Sequence, residues 1–144
     1  MTQPLRSLYL PAVLALARSL RTRFDARAKA MDMTYSRAQA LLVIARSEGL
    51  SQAEIADQLD IQTPSVNRTL DHLEAAGLIE RRPAPDDKRQ NRLFLLPPGR
   101  DQAERVVAFT EELRREIFRD VSDAELEAGL ATLSRLQRNL DRME

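Results

Sequence analysis

The chain has 144 residues, with 22 Lys and Arg against 22 Asp and Glu, one His, no Cys and no Trp. That length supports one compact domain, or a small domain with helical extensions, and the 31% charged and 4% aromatic content describes a helix-rich protein with a modest core. Lack of Cys excludes disulfides, thiolate metal sites and thiol redox chemistry, and a single His excludes a multi-histidine metal centre.

A formal net charge of zero gives no global sign of a nucleic-acid partner. The charge is unevenly spread, however. Residues 1–49 carry 8 basic and 3 acidic side chains, residues 50–100 carry 7 and 8, and residues 101–144 carry 7 and 11. Neutrality is therefore an average over unlike segments.

The first segment, about Pro4 to Met31, predicts a helix whose early turns are interrupted by Pro4 and Pro11. Arg6 followed by the apolar run Tyr9 to Ala17 imitates a signal peptide. Leu16, Leu20 and Phe24 then continue at helical spacing with Arg18, Arg21 and Arg23 between them, which an amphipathic helix explains better. The run falls far short of the roughly 20 residues that span a bilayer, so a cytoplasmic protein without a membrane association is expected.

Thr34 can cap a second helix running to about Arg46, with Gly49 in the left-handed position that closes it. Ser51-Gln52-Ala53-Glu54 reads as a capping box that opens a short helix with Ile55 and Leu59 on one face. A tight connection through Asp60-Ile61-Gln62 leads to Thr63 as cap and Pro64 at the first helical position of the next helix. There Val66, Leu70 and Leu73 repeat at i, i+4 and i+7. Gly77 ends that helix, and Leu78 folds back on Leu73 in a Schellman motif.

A capped short helix, a turn and a capped longer helix make the helix-turn-helix plan. Leu78 to Arg82 and Arg92 to Leu96 then read as two strands flanking a polar loop from Pro83 to Asn91, that is, a wing. Residues 81–92 hold five basic side chains, Arg81, Arg82, Lys88, Arg89 and Arg92, against Asp86 and Asp87. This is the electrostatic footprint that the total conceals.

The face opposite Val66, Leu70 and Leu73 presents Ser65, Asn67, Arg68, Thr69 and His72. Arg68 can donate two parallel bonds to guanine O6 and N7. Asn67 can read adenine or turn toward a phosphate, Ser65 and Thr69 suit phosphates or a thymine methyl, and His72 a phosphate. Ser51 and Gln52 at the start of the first helix, Thr63, and Arg82, Lys88 and Arg92 around the wing complete the expected DNA contacts. Arg89 at the wing tip is suited to a narrow minor groove, with Asp87 holding it by an ion pair. The alternative for each charged residue is a solvated surface side chain.

From Pro97 onward two helices are expected, separated near Val121-Ser122. Val106, Phe109, Leu113 and Ile117 line the first. Ser122-Asp123-Ala124-Glu125 is a second capping box, opening a helix with Leu126, Leu130, Leu133, Leu136 and Leu140 on one stripe. One winged helix cannot cover these stripes and the N-terminal one together, so a two-fold dimer is the economical solution, with an intramolecular helical pair as the alternative. A dimer sets two recognition helices about one DNA turn apart and predicts an inverted-repeat operator.

These residues resemble the MarR/SlyA family of bacterial transcriptional regulators. The matching stretches are Leu50 to Ala56, Pro64 to Glu74, Gly77 to Arg81, Asp87-Lys88-Arg89 and Pro98-Gly99. The resemblance implies a mainly α protein: a winged helix-turn-helix (residues 34–96) with a two-strand wing, flanked by dimerisation helices at residues 1–33 and 97–144. It implies a homodimeric repressor with Arg68 and Arg89 on DNA, regulated by small aromatic or phenolic ligands. The family's usual wing Asp-Arg-Arg is Asp87-Lys88-Arg89 here, which loses one planar fork, and its usual Thr cap before the long helix is Leu96. Without Cys the peroxide-sensing branch is excluded, and one His argues against the zinc-sensing one. Arg18 and Arg21 are candidates for meeting an acidic ligand's carboxylate, or are plain solvated charges.

No catalytic residue, cofactor or metal site is expected. The sequence holds no glycine-rich phosphate loop, nucleophile elbow or metal-ligand cluster, so an enzyme is not expected. The rival expectation is a winged helix serving only as a protein-interaction adaptor.

Overall fold

The computed structural model describes residues 4–59 and 63–143, for Thr63 and Pro64 the backbone only. Helix α1 (Leu5–Ala28) is followed by a 3-10 turn (Lys29–Met31) and α2 (Tyr35–Arg46). Strand β1 (Leu50–Ser51), α3 (Gln52–Leu59) and α4 (Thr63–Ala75) come next. Strands β2 (Ile79–Pro83) and β3 (Asn91–Leu95) lead to α5 (Pro97–Ile117) and α6 (Asp123–Asp141). The expected turn through Asp60-Ile61-Gln62, the Thr63 cap and the Pro64 ring lie outside the described residues. Two compact units divide the chain, Met1–Phe109 and Thr110–Glu144.

In the first unit, Leu41, Ile44, Ile55, Val66, Leu70 and Leu73 are sealed from solvent, drawn from α2, α3 and α4. Burying each stabilises the fold by about 1.5–3 kcal/mol relative to exposure. The Phe24 ring packs edge-on against Tyr35 at 5.5 Å and Phe109 at 5.0 Å, joining α1, α2 and α5. α2 is capped twice. Thr34 Oγ1 accepts from the Arg37 amide at 3.2 Å, and Asp25 Oδ1 of α1 accepts from the Tyr35 amide at 2.6 Å.

Pro11 does not interrupt α1. It removes one N–H from the ladder, but both it and Ser7, whose carbonyl loses that donor, are exposed, so water can satisfy the freed oxygen. Pro4 stands before the helix, its carbonyl accepting from Ser7 at 2.9 Å. The expected apolar stripe is only partly covered: Phe24 and Ala28 are buried, Leu20 is half-buried, and Leu16 is 66% exposed.

Gly49 has the expected positive φ, +93°, but a different use. α2 closes earlier, where the Ser47 amide donates to the Val43 carbonyl at 3.2 Å, and the Gly49 amide donates to Leu93 at 2.8 Å. The glycine thus turns the chain into the sheet. Gly77, at φ +74°, closes α4 as expected: its amide donates to Glu74 and that of Leu78 to Leu73, both at 3.0 Å.

The wing sheet has three strands in the order β1-β3-β2, all antiparallel, where two were expected. β1 is only two residues, Leu50 opposite Leu93 and Ser51 opposite Arg92. Ile79, Leu93 and Leu95 face the core, while Glu80, Arg82, Arg92 and Phe94 occupy the other side of the sheet.

α5 begins without a side-chain cap, and its sequence explains why little is lost. Pro97 and Pro98 have no N–H, so two of the amides a cap would satisfy do not exist. Gly99 is buried against the Leu78 backbone; a Cβ there would stand 1.9 Å from the Leu78 carbonyl oxygen.

In the second unit, α6 has the full capping box. Ser122 Oγ accepts from the Glu125 amide at 3.2 Å, and the Glu125 carboxylate accepts from the Ser122 amide at 2.8 Å. The Ser122 amide first, and then the Ser122 hydroxyl, which donates to the same carboxylate at 3.0 Å, hold the Glu125 carboxyl below the usual range for Glu. No residue of α6 is buried: Leu130, Leu133 and Leu140 are exposed, Leu126 and Leu136 half-buried. Among the described residues no helix is long and apolar enough to cross a membrane.

Candidate nucleic-acid interface

α4 carries the core stripe Val66, Leu70 and Leu73 on one side, each with no exposed surface. Its 3.6-residue period therefore turns Ser65 and Arg68 fully outward, with Asn67, Thr69 and His72 half-buried at the flanks. Arg68 has no ion pair or hydrogen bond among the described residues, and its guanidinium carries five donors.

The flanking side chains are already committed. Gln52 Nε2 of α3 donates to Asn67 Oδ1 of α4, so two expected DNA contacts are partners of one another and lock the two helices of the motif. That leaves the Asn67 amide nitrogen as the group free to face a base or phosphate. Ser51 is likewise engaged: its Oγ accepts from the Glu54 amide at 3.1 Å. The reciprocal bond of the expected capping box, from the Ser51 amide to Glu54, is not among those of the described residues. His72 Nε2 lies 3.5 Å from Asp32 Oδ2. The Thr63 side chain lies outside the described residues.

On its other flank α4 is tied to the wing. Arg81 of β2, 15% exposed, places Nη2 2.7 Å from Asp71 Oδ1 and Nη1 3.0 Å from Glu74 Oε1. Its amide also donates to Glu74 Oε2 at 3.3 Å. Asp71 and Glu74 are one helical turn apart, so a single planar guanidinium spans both. Sequence reading counted Arg81 as wing charge and missed this role; the acidic i, i+3 pair just before Gly77 was the available signal.

Two more wing cations are held on the sheet. Arg82 stacks on the Phe94 ring with its guanidinium carbon 4.0 Å from the centroid, and Nε donates to Glu80 at 2.6 Å. Arg92, directly opposite Arg82 in register, donates to the Gly49 carbonyl at 3.2 Å and lies 3.9 Å from Asp86. Lys88 and Arg89 at the loop have no ion pair among the described residues and are exposed. Asp87 does brace Arg89, but through the backbone. Its Oδ1 accepts from the Arg89 amide at 2.9 Å, forming an Asx turn rather than the expected ion pair and leaving the guanidinium free. The hairpin is closed below by the Ala84 amide on Gln90 at 2.8 Å and by Ala84 itself, which is buried.

The +3 of residues 81–92 is thus unequally available. Three cations hold the scaffold, and Lys88 and Arg89, with Arg68 of α4, are exposed and make no ion pair among the described residues.

The two candidate ligand arginines do not converge. Arg21 lies over the Tyr35 ring at 5.3 Å and lines a cavity of about 130 Å³ with Tyr35, Ser36, Gln39, Gln58 and Leu59. Arg18 lines a separate groove on α1 with Ser19, Thr22 and Arg23.

The sequence model of the MarR family matches residues 31–90. A solved structure of MarR is 26% identical, with 94% of this chain and 99% of that one covered and a TM-score of 0.76. A Staphylococcus aureus MepR–DNA complex is 23% identical, covering 92% and 97% of the two chains, with a TM-score of 0.85. A Staphylococcus aureus MarR in complex with salicylate and kanamycin is 20% identical, covering 97% and 95%, with a TM-score of 0.83. The likeness in fold extends over both compact units of the chain.

Proposed function

We propose that this chain, whose residues 31–90 match the sequence model of the MarR family, is a homodimeric repressor of that kind that binds an inverted-repeat operator in the cytoplasm. The observation that carries the reading is the division of labour among the cations. Arg68 on the exposed face of α4 and Lys88 and Arg89 on the wing make no ion pair among the described residues, while Arg81, Arg82 and Arg92 are engaged in the scaffold. Arg68 reads a base edge in the major groove, and Arg89 enters the flanking minor groove. Ser65, Thr69 and the Asn67 amide nitrogen add short donors beside Arg68. That MepR has been solved on DNA supports the docking mode.

Residues 1–33 and 97–144 serve as dimerisation arms. Leu5, Leu10 and Leu14 of α1 and Leu130 and Leu140 of α6 are each more than half exposed in the single chain. Apolar stripes of that extent are covered in solution, and a second copy does so by symmetry. A small aromatic acid is the effector class. The cavity beside Arg21 offers a cation for its carboxylate and the Tyr35 ring for its plane, and a relative has been solved with salicylate.

Selection of DNA from a random duplex pool by the full chain tests the reading. It predicts enrichment of an inverted repeat with half-sites about one helical turn apart. A pool with no enriched repeat would leave a winged-helix adaptor in its place.

A further inference from the structure

Asp32 is an unusual choice for its position. The α1 helix and its 3-10 turn close in a Schellman pattern: the Met33 amide donates to Ala28 at 3.2 Å and the Asp32 amide to Lys29 at 3.1 Å. Asp32 occupies the left-handed position of that motif, at φ +50°, where glycine carries no steric cost. A carboxylate therefore stands where glycine would be the less costly choice for the backbone.

The side chain meets nitrogen groups from two different helices. Arg37 Nη1 of α2 lies 3.7 Å from Asp32 Oδ1, and His72 Nε2 of α4 lies 3.5 Å from Oδ2. Asp32 is 81% exposed, whereas Arg37 and His72 are 27% and 36% exposed. The carboxylate thus sits on the solvent side of the pair, and both contacts are long and weak. His72 follows Ser65 and Arg68 along the outward face of α4, so the triangle opens toward the surface assigned above to DNA.

We propose that Arg37 and His72 form a binding site for a DNA backbone phosphate, and that the Asp32 carboxylate occupies it in the free protein as a built-in competitor. The proposal rests on the DNA-binding reading above. An anion two bonds from the backbone mimics a phosphate oxygen, and its weak, solvent-exposed contacts are ones that a phosphate displaces. Asp32 then lowers sequence-independent attraction, so that affinity depends more on base contacts by Arg68. This is a specificity device, consistent with a chain whose net charge is zero.

The test uses the full chain and two duplexes, one of random sequence and one carrying the repeat enriched by the wild type. Asp32→Asn keeps a residue that tolerates the left-handed position, and Asp32→Gly relieves it. Both variants are expected to bind the random duplex about three- to tenfold more tightly, with a salt slope steeper by about 0.9 for each phosphate gained. The glycine variant should melt no lower than wild type, and adding Arg37→Ala to Asp32→Asn should abolish the gain. Unchanged affinity and slope in both variants would overturn the proposal and leave Asp32 a helix cap. Weaker binding would overturn it in favour of a tether that aligns α4. A wild type that holds neither duplex overturns the DNA-binding reading itself, a result distinct from either.

Discussion

Arg81 and Asp71, 2.7 Å apart, fasten the wing to α4. The same guanidinium reaches Glu74, so the pairing fixes both the distance and the rotation of β2 against α4. Arg81→Ala is expected to lower stability by about 1–2 kcal/mol, since the arginine is largely buried but its partners are partly solvated. Arg81→Lys should recover only part of this, because an ammonium cannot span two carboxylates as a planar fork does. Urea midpoints at constant slope measure both; an Arg81→Ala midpoint equal to wild type would remove the tie from the stability of the fold.

Arg68 and Arg89 should separate in their signatures. Arg68→Ala is expected to cost about 1–3 kcal/mol at the selected operator and little on random DNA. Arg89→Ala should weaken both and reduce the salt slope by about 0.9. Anisotropy titrations at several salt concentrations distinguish them, and an Arg68 variant with undiminished operator affinity would contradict its role.

Gly99→Ala should be among the most damaging small substitutions in the chain. The new methyl would stand 1.9 Å from the Leu78 carbonyl oxygen, a backbone atom that cannot swing aside. Displacing the start of α5 to make room should cost about 1–3 kcal/mol, the usual range for overpacking. A melting temperature within error of wild type would refute the packing argument.

Replacing leucines on α6 tests the dimer without touching the winged helix. Leu130→Glu combined with Leu133→Glu puts charge on the exposed stripe and should halve the mass seen by light scattering while preserving the helical circular dichroism. An unchanged mass would place the interface elsewhere.

Glu125 offers a pH readout of the second unit. Its carboxyl is held low by the Ser122 amide and then by the Ser122 hydroxyl. The cap is therefore fully formed above the ordinary Glu range and is lost as pH falls through the lowered value. Ser122→Ala keeps the amide and removes the hydroxyl, so an NMR titration should show the Glu125 value move part of the way back up. No movement would mean that the hydroxyl contributes nothing to the shift.

Local chemistry was legible in the sequence and long-range chemistry was not. The Gly77 closure, the Thr34 cap and the Ser122 box each depend on residues within one turn, and each was read correctly from spacing. β1 escaped because two residues carry no period; Leu50 and Ser51 become a strand only because Leu93 and Arg92 lie beside them. Gly49 was read as a helix terminator for the same reason, its partner Leu93 being far along the chain. At the interface, the sequence showed which cations exist but not which are engaged. Arg81 and Arg92, and Arg82 through the Phe94 ring, are taken by partners brought close by folding, and the Gln52–Asn67 pair joins two residues expected to face DNA separately. Arg18 and Arg21, one turn apart on α1, open onto different cavities because Tyr35 of α2 packs beside only one of them.

The strand order β1-β3-β2 makes β2 an edge, and edges invite pairing with other chains. Here that edge carries the exposed Arg82 and Pro83, a charge and a residue with no amide to offer, while the opposite edge is only two residues long. Arg82 therefore also guards against sheet-to-sheet aggregation. Substitutions that trade it for an apolar strand former, such as Arg82→Val, would be felt first in solubility, before any loss of DNA affinity could be measured.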